Sequence, residues 1–257
     1  MQPEQNRRPK YFPISRLFPN MVTIAGLCCG ASAIRFAMAE KWEISVTFIV
    51  IAAIIDGMDG MIARMLRATS NFGAQLDSLS DIIAFGVAPA LVIYMWALED
   101  IKRVGWAVAL FYIVCCALRL ARFNAAINDQ QDRKLARQFF VGVPSPAGAL
   151  LALLPLILSF HDILLFGSER SFAAIHLAFV AMLMASRIPT FAAKNIRITY
   201  DMILPVMLCA GLIVALFMIA PWMTLAGGCV LYLCSLPVST VKYYRLKREN
   251  DASRASD

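Results

Sequence analysis

The stretch Ile55-Asp56-Gly57-Met58-Asp59-Gly60-Met61-Ile62-Ala63-Arg64 ends an otherwise apolar run with two carboxylates and a cation. The run, from about residue 42 to 66, is long enough to cross a bilayer as a helix, which takes about 20 apolar residues. An ionised side chain at the bilayer centre costs about 2.5–3.5 kcal/mol on insertion scales. Two aspartates three residues apart point to nearly the same side of a helix, about 60° from each other. Acids so placed need a partner, and the search for it organises the rest of the chain.

Outward from this run the composition agrees with a membrane protein. The chain has 257 residues, 60% hydrophobic and 16% charged, against about 45–50% and about 25% in soluble domains. Eight spans are expected, at about 19–39, 42–66, 76–98, 104–124, 144–166, 171–189, 201–220 and 223–243. The sixth is the weakest, because Arg187 and Pro189 crowd its end, so six or seven spans are the alternatives. The expected fold is all-α, a polytopic transmembrane helix bundle. Residues 1–18 form a cytoplasmic or interfacial segment, 19–243 the catalytic transmembrane domain and 244–257 a cytoplasmic, frayed tail.

Charge sets the orientation. With the N-terminus inside, the inner segments hold Arg7, Arg8, Lys10, Arg16, Arg64, Arg67, Arg119, Arg122, Arg133, Lys134, Arg137, Arg187, Lys194, Arg197, Lys242, Arg245, Lys247, Arg248 and Arg254. The outer segments hold Lys41, Lys102, Arg103 and Arg170, with Arg35 in the first span near its outer end. That bias predicts an even number of spans with both termini in the cytoplasm. The net charge of +7 is thereby read as topology and anionic-lipid contact rather than as a nucleic-acid surface. The seven cysteines, all in apolar stretches, lack zinc-ligand spacing and are read as small buried hydrophobes. His161 and His176 are isolated.

The next span opens with Gly73-Ala74-Gln75-Leu76-Asp77-Ser78-Leu79-Ser80-Asp81. Asp77 and Asp81, four apart, again share a face. Two such pairs on adjacent antiparallel helices would bring four carboxylates together near the cytoplasmic end. Like charges at close quarters either take up protons or are held by cations. Hard divalent ions, Mg²⁺ or Mn²⁺, suit an all-aspartate site and leave positions for phosphate oxygens. A pair of ions can steady the attacking and departing oxygens of a phosphoryl displacement. Gly57 is read equally well as space for a ligand or as a helix-packing position.

The pattern Asp56-x-x-Asp59-Gly60-x-x-Ala63-Arg64, eight residues, then Gly73-x-x-x-Asp77-x-x-x-Asp81 resembles the signature of the CDP-alcohol phosphotransferase family at every fixed position. The resemblance implies a CDP-linked substrate whose diphosphate is cleaved with release of CMP. It implies Asp56, Asp59, Asp77 and Asp81 as metal ligands, with two ions, and Asp81 also as general base. Gly60, Ala63, Arg64 and Gly73 would line the nucleotide and diphosphate pocket. Asn20 and Thr23, in Pro19-Asn20-Met21-Val22-Thr23, are similar to a family segment near the nucleotide, although helix capping also explains Asn20. Many relatives carry an asparagine a few residues past this threonine, where this chain has Ala25-Gly26.

Three further segments resemble the bacterial phosphatidylserine synthase branch of that family. They are Ala84-Phe85-Gly86-Val87-Ala88-Pro89-Ala90, Arg119-Leu120-Ala121-Arg122-Phe123-Asn124 and Phe140-Val141-Gly142-Val143-Pro144-Ser145-Pro146-Ala147-Gly148. The implied substrates are CDP-diacylglycerol and L-serine, the implied setting the bacterial inner membrane with the site facing the cytoplasm, and the implied assembly a homodimer. Arginine suits bidentate capture of the serine carboxylate, which makes Arg119 and Arg122 candidates, with Asn124 beside them; the competing reading of both arginines is topological. Other acceptors (glycerol 3-phosphate, choline or inositol) are the nearest alternative, and a cation transporter a distant one. Residues 170–257 carry no chemical motif and are read as scaffold, lipid contact or dimer surface.

Overall fold

The computed structural model describes residues 17–65, 71–127, 139–161, 169–186, 189–191 and 202–254. Within α2, the side chains of residues 59, 60 and 62–65 lie outside the described residues. The proposed surface segment before Leu17 and most basic inner loops also lie outside them.

Among the described residues eight helical rods follow one another, as the hydropathy predicts. The first two are α1 (Leu17–Met38) and α2 (Trp42–Met65). The third is continuous from α3 (Asn71–Asp81) through a π-helical segment (Ile82–Val87), α4 (Ala88–Ile93), a second π-helical segment (Tyr94–Leu98) and a 3₁₀ turn (Glu99–Ile101). Next come α5 (Arg103–Ile127), α6 (Ser145–Ser159), α7 (Glu169–Ala185), α8 (Ile203–Ile219) and α9 (Pro221–Arg254). Among the described residues four helices are long and apolar enough to cross a membrane, Asn20–Met38, Phe72–Ile101, Arg103–Ala125 and Pro221–Val241; Ser145–Ser159, Ser171–Ala185 and Ile203–Ile219 are shorter apolar helices.

Three departures from the expected map have simple causes. The third rod begins at Asn71 rather than 76, because its first turns are polar and small and escape a hydropathy criterion although they are helical. The last helix runs past Pro237 to Arg254, so the described tail continues the helix instead of fraying. One pairing is not helical: β1 (Phe139–Val141) and β2 (Pro189–Phe191) lie antiparallel, with Phe140 opposite Thr190. In a two-residue-period ribbon this short, Pro189 is tolerated because it sits at a strand end.

The interior lies between α1, α2, the third rod, α5, α6 and α7. Tyr112, Phe85, Ile49, Ile93, Leu151, Leu153, Leu156 and Met184 are fully buried there. Small residues set the approach distances, as membrane helices without a hydrophobic drive between them require. At Gly30 an added Cβ would meet the Ala84 Cα at 2.6 Å, and at Gly148 the Met184 sulfur at 2.6 Å. Hydrogen bonds tie the same helices: Ser45 Oγ donates to the Ala33 carbonyl at 2.8 Å, and the Tyr112 hydroxyl to the Phe85 carbonyl at 3.0 Å. The latter partner lies within the π-helical segment, whose wider turn presents that carbonyl to α5. Helix α8 stands apart, packing chiefly on α9, with its side chains exposed throughout.

The cysteines are all free, as expected. Cys115, Cys116 and Cys229 are buried, but Cys28, Cys209 and Cys234 are exposed. In an apolar medium an exposed cysteine loses little, which is why burial was the wrong expectation for those three. A ring nitrogen of the largely buried His176 hydrogen-bonds the Leu151 carbonyl at 2.8 Å.

Candidate active site

One end of the bundle gathers the start of α1, the later part of α2, the start of the third rod, the end of α5 and the start of α6. These are the ends that the charge bias assigns to the cytoplasmic side. Asp56, Asp77 and Asp81 meet there, half-buried, with one carboxylate oxygen from each within 4.8 Å of the others. The two carboxylates of the third rod reach one helix face through their four-residue spacing. Asp56 meets them because α2 lies antiparallel beside that rod. The carboxyl groups of Asp56 and Asp81 come within hydrogen-bonding reach of each other. The side chain of Asp59, the fourth expected ligand, lies outside the described residues, as do those of Ala63 and Arg64 and the surroundings of Gly60.

The donor set fits a small divalent cation. Oxygens on one octahedral Mg²⁺ stand about 3–4 Å apart when each bond is about 2.1 Å. Modest side-chain rotation closes the observed spacing to that range, and three carboxylates so close and half-buried take up protons or are held by such a cation. Beside them is a small pocket, about 10 Å³, lined by Thr23, Gly26, Ala52, Ile55, Asp56, Asp77, Ser80, Asp81, Ala84 and Phe85. Ser80 Oγ donates to the Thr23 carbonyl at 3.2 Å, fixing α1 against the acid-bearing rod.

The other expected site residues sort differently. Thr23 is buried and lines the cavity. Asn20 falls within the first turn of α1 rather than before it, so the capping explanation does not hold. Gly73 lies in the first turn of α3. Gly57 has nothing within 4 Å of an added Cβ among the described residues. Arg119 projects toward the acids, near enough to Asp81 and Asp56 for direct electrostatic interaction. Its guanidinium stacks 5.5 Å over the Phe123 ring and donates to Ser145 Oγ. Arg122 is exposed, and its Nε donates to the Leu118 carbonyl of its own helix at 3.2 Å. Asn124 Nδ2 donates to Ser78 Oγ at 2.8 Å, joining α5 to the turn that carries Asp77.

Sequence reasoning missed Ser80, Gly26 and Ser145. Gly26 had a signal, since it falls three residues after Thr23 and so on the same helix face. Ser145 had only its place between two prolines.

Apolar helices meeting at one end around clustered carboxylates and an inward arginine make a membrane-protein site that could hold a divalent cation. Comparison with known proteins narrows this. The family profile described as CDP-alcohol phosphatidyltransferase matches residues 16–234, and the chain belongs to that family. A protein of Mycobacterium leprae named CDP-diacylglycerol--serine O-phosphatidyltransferase is 35% identical over 94% of this chain and 84% of its own length. Proteins of the same name from Helicobacter pylori and Bacillus subtilis are 32% and 36% identical, covering 77% and 70% of this chain and 81% and 95% of their own lengths.

Proposed function

We propose that the chain transfers the phosphatidyl group of CDP-diacylglycerol to L-serine, giving phosphatidylserine and CMP. The convergence of Asp56, Asp77 and Asp81 beside Arg119 carries this reading, and the names of its relatives support the choice of acceptor. The site faces the cytoplasm of a bacterial inner membrane, and the chain works as a homodimer with 19–243 as its catalytic domain.

Asp56, Asp59, Asp77 and Asp81 would hold two divalent ions, Mg²⁺ or Mn²⁺, which would supply charge neutralisation for the diphosphate. Thr23, Gly60, Ala63, Arg64 and Gly73, with Asn20 nearby, receive the cytidine and diphosphate, and open space beside Gly57 admits them. Asp81 accepts the proton of the serine hydroxyl. The hydroxyl oxygen bonds to the phosphatidyl phosphorus as the bond from that phosphorus to the CMP oxygen breaks, and CMP leaves. Arg119 holds the serine carboxylate, with Arg122 and Asn124 at the pocket rim. Its fixed charge also opposes the negative charge that develops in the transition state.

The test is CMP release by purified protein with CDP-diacylglycerol and a panel of acceptors. Release driven by L-serine, abolished by EDTA and restored by Mg²⁺ or Mn²⁺, is expected. Release driven only by glycerol 3-phosphate, choline or inositol would overturn the acceptor, and chelator-insensitive release would overturn the metal. Cation flux without any CMP release would point to transport instead. Cross-linking in native membranes to a species of twice the chain mass checks the homodimer.

A further inference from the structure

Arg119 uses only part of its hydrogen-bonding capacity. Its Nη1 donates to Ser145 Oγ, while its Nε is buried with no hydrogen-bond partner among the described residues. Leaving a charged donor buried and unmatched is costly. Nη1 lies on the Cδ side of the guanidinium, so Ser145 leaves untouched the edge formed by Nε and Nη2. That edge is the one that grips a carboxylate through two parallel hydrogen bonds. Stacking on Phe123 fixes the plane of the group, and Ser145, itself fully buried at the head of α6, fixes its rotation within that plane.

A second group faces the same guanidinium from the C-terminal part of the chain. Tyr232 lies on α9, its hydroxyl buried and close enough to Arg119 to interact electrostatically. Helix α9 packs on α6, which brings this phenol to the arginine across more than a hundred residues of sequence.

We propose that Ser145 and Tyr232 are positioning residues for the acceptor amino acid: together they hold Arg119 with its Nε–Nη2 edge turned to the carboxylate of serine. The inference rests on the reading of Arg119 as the carboxylate anchor. It predicts that acceptor choice depends on α6 and α9, outside the aspartate signature.

The experiment is steady-state CMP release by full-length Arg119→Lys, Ser145→Ala, Ser145→Thr and Tyr232→Phe, each titrated with serine and with CDP-diacylglycerol. Ser145→Ala should raise the KM for serine by about tenfold, the effect of one charge-assisted hydrogen bond, leaving kcat and the KM for CDP-diacylglycerol within about twofold. Ser145→Thr keeps the hydroxyl and should restore most of the loss, which a purely structural role for the small side chain would not allow. Tyr232→Phe removes the hydroxyl that faces the guanidinium and should raise the serine KM about threefold, as loss of one weak electrostatic contact would. If Arg119→Lys raises the serine KM while Ser145→Ala and Tyr232→Phe do not, the positioning role is wrong and the anchor stands. If Arg119→Lys leaves the serine KM unchanged, the anchor is wrong and the inference falls with it. Equal losses toward both substrates in the Ser145 and Tyr232 variants would make those residues structural and overturn the proposal.

Discussion

Replacing Gly30 with alanine tests whether the acid cluster depends on the close approach of α1 to the third rod. A Cβ at position 30 would stand 2.6 Å from the Ala84 Cα and 2.8 Å from its Cβ. Carbon atoms in contact prefer about 3.5–4.0 Å. The obstacle is backbone, not a side-chain tip that can swing away, so the helices must part by about 1 Å. That movement acts less than one turn from Asp81, on the pair of helices that Ser80 joins to the Thr23 carbonyl. Overpacking of this kind costs about 1–3 kcal/mol, and a catalytic group misplaced by about 1 Å loses about 100-fold in rate. CMP release in mixed micelles and thermal unfolding in the same detergent should therefore both fall. Gly211→Ala on α8, where the new methyl meets nothing within 4 Å, should leave activity unchanged and serves as the control. A Gly30→Ala protein with activity within about twofold of the parent and an unchanged unfolding temperature would refute the argument, since its premise is that contacts this tight cannot yield silently.

Other substitutions separate the roles of neighbouring groups. Asp81→Asn should abolish turnover while a CDP-diacylglycerol binding assay retains measurable affinity, because the remaining aspartates still hold cation; normal turnover would remove Asp81 from the chemistry. Tyr112→Phe leaves the Phe85 carbonyl without its donor and should lower stability by about 0.6–1.7 kcal/mol, the range of interhelical hydrogen bonds in membranes, read as a lower unfolding temperature. Arg122→Ala should raise the KM for serine more than that for CDP-diacylglycerol, but by less than Arg119→Ala does. Equal losses toward the two substrates would make Arg122 a topological residue.

The Asp77–Asp81 pair and the rods that carry the acids were legible because both depend on spacing. Aspartates three and four apart share a helix face whatever the tertiary structure, and apolar runs of bilayer length announce spans. What spacing cannot express is which helices touch. The pairing of Arg119 with Ser145 spans an inner loop, and Tyr232 reaches the same arginine from α9, where a tyrosine among leucines and cysteines looks like one more lipid-facing aromatic. The π-helical segment after Asp81 was equally hidden, since Ile82-Ile83-Ala84-Phe85 has no residue that forbids an ordinary helix. There the Tyr112 hydroxyl donates to the Phe85 carbonyl from another helix.

Where the carboxylates sit along their helices determines how the two reactants must be counted. Asp56 precedes the end of α2 at Met65 by nine residues, and Asp77 follows the start of α3 at Asn71 by six, placing them about 13 and 9 Å from those ends. On the proposed reading, with those ends at the membrane surface and a polar headgroup layer about 5–8 Å deep on each side of a ~30 Å core, they lie just below the lipid headgroups. The nucleotide end of the donor sinks to them while its acyl chains never leave the bilayer, and the amino acid arrives from water. Turnover should then follow the mole fraction of donor within the lipid phase and the molarity of serine in solution, so that dilution with inert lipid slows the reaction even when the total amount of every reactant is held constant.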